Sequence, residues 1–150
     1  MNISTIYQAI KNWKALVDSY KSGNEESGKE IIRFLNQGSH FSVDATEINE
    51  WKKEIQKIAR FENVYCKISG MVTEADWKKW KQDDFIPYID VVIEAFGPHR
   101  IMYGSDWPVC LVAASYEEVL NIAEEYFSSF SKTEKQLFFG GNAVRFYSLI

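Results

Sequence analysis

Basic runs are missing from this 150-residue chain. Its 17 lysines and arginines are scattered among 21 acidic residues, giving a net charge of −4 and a sequence pI near 5.3. Without a basic stripe there is no electrostatic footprint for a phosphate backbone, so nucleic acid is not expected as a partner. Long hydrophobic runs are missing too. No stretch approaches the roughly 20 apolar residues of a membrane span, and the opening MNISTIYQAIKNWK has no basic segment followed by an apolar core. A membrane is therefore not an expected partner, and the chain reads as cytoplasmic. Cysteine is scarce: Cys66 and Cys110 sit in the apolar contexts VYCKI and WPVCLV, with no CxxC spacing and no histidine cluster nearby. Reduced, buried thiols are expected rather than a disulfide framework or a metal knot. There is no internal repeat and no low-complexity tract.

What is present is apolar and aromatic, 46% and 15% of the residues, enough for a sizeable core in a single-domain length. From Ile3 to Tyr20, apolar residues recur at helical spacing over about five turns. KSGNEESGK reads as a loop, and Ile31, Ile32, Phe34 and Leu35 suggest a short second helix ending near Gly38. In HFSVDATEIN, Phe41 and Val43 alternate as in a short strand, with little support around them. The rest is more regular. Trp51, Ile55, Ile58 and Ala59 form one helical face, and VYCKI reads as a buried strand. Pro87 opens a helix with Ile86, Ile89, Val92, Ile93 and Phe96 on its apolar face, stopped by Gly97-Pro98. Ile101-Met102-Tyr103 is a second short strand. Ser115 with Glu118, and Ser131 with Glu134, have capping-box spacing, and Asn142 can cap a last turn through Phe146. Helix and strand alternating in units of about thirty residues is the grammar of parallel α/β architecture. The chain divides into a helical segment, residues 1–50, and the α/β part, residues 51–150.

In parallel α/β proteins chemistry gathers where the strands end. Asp106, in MYGSDWPVC, stands three residues beyond Tyr103, where a carboxylate can face the mouth of the sheet and take a proton from attacking water. Spacing alone leaves open that Asp106 only caps a turn and Trp107 only packs. In VYCKISGM, Lys67 lies within an apolar strand, and Ser69-Gly70 make the exit turn. The Lys67 ammonium either snorkels to solvent or holds a carboxylate or carbonyl in a polar pocket. Trp77 and Trp80 can line a sugar pocket, but their three-residue spacing reads more readily as core.

Four segments, ENVYCKISGMVTEADW, FGPHRIMYGSDWPVC, ASYEEV and FFGGNAVRFY, are together similar to successive pieces of the amidohydrolase-related family, in the branch of fuconolactonase-like and rhamnonolactonase-like enzymes. The resemblance runs from about Trp51 to Leu149. It implies the C-terminal part of a (β/α)₈ barrel, incomplete and preceded by N-terminal helices, in a hydrolase that opens sugar lactones. Asp106 is then the catalytic base, with Lys67, Ser69 and Trp107 around the substrate.

The resemblance stops at histidine. The family carries a His-x-His pair on its first strand and further histidines on middle strands, whereas this chain has only His40 and His99. His99 is expected on the surface, and the motifs that would make His40 a ligand are absent around it. Zinc sites need three or four ligands and only Asp106 is in place, so no metal is expected on this chain, although a divalent ion such as zinc fits the complete enzyme. A closed barrel takes eight strands and typically ~250 residues, more than this sequence offers. Two readings follow: part of a lactone hydrolase with an incomplete site, or an inactive remnant whose exposed sheet edges are covered by the N-terminal helices or by another copy.

Overall fold

A computed structural model describes residues 30–33 and 45–149. The helix expected from Ile3 to Tyr20, the strand expected around Phe41 and Val43, and His40 lie outside the described residues. Three strands form one parallel sheet in the order β1 (Glu30–Arg33), β2 (Val64–Ile68), β3 (Ile101–Tyr103). Ile31 pairs with Tyr65 and Ile32 with Cys66, while Cys66, Lys67 and Ile68 pair on the other side with Ile101, Met102 and Tyr103. The short helix expected over Ile31 and Ile32 is therefore wrong. A brief apolar run has no period long enough to separate helix from strand, and here two β-branched residues complete a ladder.

Strand β2 shows why the sheet is covered. Val64, Cys66 and Ile68 are buried on one face, while Tyr65 and Lys67 alternate with them half-buried on the other. Helix α1 (Ala45–Ala59) packs through Ile55, Ile58 and Ala59, and begins within the stretch whose pattern the sequence left weak. After β2 comes a single turn, α2 (Met71–Glu74), then α3 (Ile86–Phe96), with Pro87 in its first turn. Tyr88, Ile89, Val91, Val92 and Phe96 bury α3, whereas Ile86 is exposed at its start. Gly97, at φ 66°, ends the helix in a conformation that costs glycine nothing.

Both capping boxes form. Ser115 caps α4 (Tyr116–Tyr126) and Ser131 caps α5 (Lys132–Gln136), each accepting from the backbone N–H of the glutamate three residues on. A π turn over Leu137–Gly141 leads into α6 (Asn142–Tyr147). Asn142 is not the expected cap. It lies inside α6, fully buried, and its amide donates 2.7 Å hydrogen bonds to the carbonyls of Pro98 and Ile101 at the start of β3. Arg100 holds the same end of the strand, its guanidinium donating to the carbonyls of Ala59, Phe61 and Val64. Phe127 stacks on Phe138 at 3.9 Å between ring centres, tying the end of α4 to the π turn.

No helix among the described residues is long and apolar enough to cross a membrane. Cys66 and Cys110 are both free and buried, as their apolar contexts predict, and burial pushes the Cys66 thiol up to about 12.

Candidate active site

The sheet delivers Ser69 and Asp106 to the same edge, because each follows the C-terminal end of one of two paired parallel strands. The turns that carry them are tight. Gly70 has φ 76°, and a Cβ there would lie 3.4 Å from Asp106 Oδ2 and from Thr73 Oγ1. Gly104, directly after β3, is crossed by neighbours: a Cβ would sit 2.2 Å from Lys67 Cε and 2.9 Å from Ser69 Oγ. A side chain at position 104 would take the space that Lys67 and Ser69 occupy.

Asp106 itself has φ 59°. The left-handed region costs a non-glycine residue on the order of 1 kcal/mol, less for aspartate than for most, and such residues cluster at functional sites. The neighbouring Trp107–Pro108 peptide bond is cis.

The residues at this edge line a cleft of about 380 Å³. Its lining is polar at Ser69, Thr73, Glu74 and Asp106 and apolar or aromatic at Trp77, Val109 and Val112. Thr73 Oγ1 is 2.7 Å from the Gly70 carbonyl and 3.3 Å from Asp106 Oδ2. Its single proton serves one acceptor at a time, and the shorter contact favours the carbonyl. Burial, and then the charge of Asp106, raise the Glu74 carboxyl above its ordinary value. Two carboxylates thus share the cleft, and the charge of Asp106 disfavours charge on Glu74.

Of the residues expected from the sequence, Asp106 and Ser69 meet in the cleft wall. Lys67 runs half-buried beneath it, its stem over Gly104, and its ammonium forms no ion pair among the described residues. Trp107 is 63% exposed and outside the cleft wall, its backbone N–H donating to Ser105 Oγ. The two tryptophans of TEADWKKW part company. Trp80 packs on the core and donates to the Ala113 carbonyl, as expected, but Trp77 is 55% exposed in the cleft, its indole N–H donating to the Thr73 carbonyl. Reading Trp77 as core was wrong, because TEADWKKW does not continue as a helix and so presents no single buried face. His99 is exposed, as predicted. Thr73 and Glu74 were not singled out from the sequence.

Among the described residues no three His, Cys, Asp or Glu side chains come together as metal ligands. Glu74 and Asp106 are two carboxylates, short of the three or four ligands that zinc takes. The described residues therefore do not by themselves fit such an ion.

A family model described as Amidohydrolase matches residues 38–149. An L-fucono-1,5-lactonase from Burkholderia multivorans is 41% identical over 116 residues, 74% of this chain and 39% of that protein. An L-rhamnono-gamma-lactonase from Scheffersomyces stipitis is 27% identical over 115 residues, covering 33% of its length. A zinc-bound crystal structure of an amidohydrolase from Burkholderia multivorans superposes with a TM-score of 0.79 at 32% identity, over 91% of this chain and 50% of that one. The chain thus spans a third to a half of these proteins. Family match, fold and the linked strand-end motifs agree: the chain belongs to the amidohydrolase family, and its parallel strands and helices are part of that family's (β/α)₈ barrel.

Proposed function

We propose that this chain carries the Asp106 side of a hydrolytic site that opens sugar lactones. The observation that carries the reading is Asp106 itself, a carboxylate held in the left-handed region beside Ser69 at the C-terminal strand edge and facing a cleft. The lactonase names of the relatives supply the substrate class. Asp106 accepts a proton as water adds to the lactone carbonyl and returns it to the ring oxygen as collapse of the adduct breaks the ring C–O bond, which releases the hydroxy acid and restores the carboxylate. Lys67 and Trp107 belong to the substrate's surroundings in this reading, and support for them comes from resemblance and from their nearness in sequence to the two strand ends.

A closed barrel needs eight strands and the described residues supply three, so a complete wall takes strands beyond the described ones. The chain alone is expected to hydrolyse L-fucono-1,5-lactone no faster than buffer does, because an open wall cannot hold the substrate in position. In the completed site Asp106→Asn should keep the shape and lower kcat by ~10²–10⁴-fold, since an amide cannot take the proton. Hydrolysis followed by proton release, corrected for spontaneous opening, measures this. A variant as fast as the parent would mean that another group is the base.

A further inference from the structure

The cleft has more built into it than a base needs. Trp77 projects a half-exposed indole into it, and the hydrogen bond from Nε1 to the Thr73 carbonyl at 2.9 Å fixes the ring's direction. Three residues earlier in the chain, Glu74 lines the same space from α2, beside Ser69 and Asp106. An aromatic face next to a partly buried acceptor group is the chemistry that recognises a polyol: C–H bonds of the ring lie on the indole, and adjacent hydroxyls donate to the carboxylate. We infer that Trp77 and Glu74 form a hydroxyl-recognition subsite that selects polyhydroxylated six-membered rings over plain ones. This rests on the lactone reading of the cleft and adds a division of labour to it, with Asp106 acting on the reacting carbonyl and Glu74 on the ring hydroxyls.

The magnitude expected is set by what each wall can do. An apolar wall separates ligands that differ by a hydroxyl only weakly, whereas a site built to bond hydroxyls penalises their absence strongly, since its acceptor is then left unpaired. The Glu74 carboxyl is raised by burial and by Asp106, so it gains from donors that arrive with the ligand.

The test object is the completed protein, because the chain alone leaves the wall of the cleft open. The probes are galactono-1,5-lactam, a hydrolysis-resistant isostere of a sugar 1,5-lactone, and δ-valerolactam, the same ring without hydroxyls. Binding is followed by nitrogen-15 NMR at the Trp77 indole N–H, assigned with Trp77→Phe. The sugar lactam should shift that signal and bind at least tenfold more tightly than δ-valerolactam. Glu74→Gln should bring the ratio down by about tenfold, and Trp77→Phe, followed by titration calorimetry because its indole signal is gone, should weaken the sugar lactam alone. Both positions are partly exposed, and an unchanged remainder of the spectrum shows that the fold is kept. Equal affinities, no binding of either lactam, shifts that bypass Trp77, or a ratio untouched by Glu74→Gln would each overturn the inference. The two readings fail separately. A hydroxyl preference without hydrolysis in the completed site sinks the lactonase reading and leaves the subsite standing. Hydrolysis that depends on Asp106 but shows no preference does the reverse.

Discussion

Gly104 is where the space beneath the cleft is decided. Lys67 Cε and Ser69 Oγ lie within 3 Å of where its side chain would begin. Gly104→Ala should cost about 1–3 kcal/mol, as overpacking does. Lys67→Ala should recover part of that, because the flexible lysine end can be removed, while the part due to Ser69 should persist. Urea unfolding of the two single variants and the double variant reads the coupling, and additive costs would mean that Lys67 does not run over Gly104. At this scale the sequence was informative wherever a residue directly follows a strand. The placement of Ser69 and Asp106 at the sheet edge was legible because a short β-branched or apolar run ending at glycine marks the edge of a parallel sheet. Thr73 and Glu74 were not, because they reach Asp106 from a one-turn helix with no period of its own, across 33 residues of sequence in the case of Thr73. Trp77 was misread for the same lack of a pattern.

Among the elements, α3, α4 and α5 were legible through local chemistry: proline in a first turn and glycine after a last one for α3, serine and glutamate in a box for α4 and α5. Strand β1 was not legible, since four residues pair only through a neighbour found more than thirty residues later. Asn142 shows the limit from the other side. Its type fits a cap, and only the fold reveals that it instead satisfies two carbonyls of the β3 approach. Asn142→Leu should leave those carbonyls without a partner, at about 2–4 kcal/mol for two buried acceptors. Among the described residues its Oδ1 has no partner and returns nothing to that balance. Thermal and urea denaturation measure the cost, and a change below about 0.5 kcal/mol, the range of ordinary surface substitutions, would show that water takes over both bonds.

For the molecule as a whole, Glu74 links stability to pH. Burial and the charge of Asp106 raise its carboxyl in the folded state, so the unfolded chain releases this proton first. Folding is then favoured at low pH, and that contribution is lost as pH rises from the ordinary carboxylate value through the raised one. Glu74→Gln removes the cost of charging. The variant should melt above the parent at pH 7 and together with it near pH 4, with the gap opening as pH rises. A difference that grows on acidification would reverse the sign of the argument.

Arg100 and Asn142 grip β3 only at its start, and the strand is three residues long, ~10 Å at the usual rise. Asp106 rides at the opposite end, so the strand is a lever arm with its pivot on the far side of the sheet from the cleft. A small displacement at the pivot is carried to the carboxylate along β3 and its pairing with β2, from residues that do not line the cleft. Substrate contacts and the aim of the base are thereby set by different parts of the chain, and Asn142→Leu in the completed site should lower turnover while leaving the affinity for substrate largely intact.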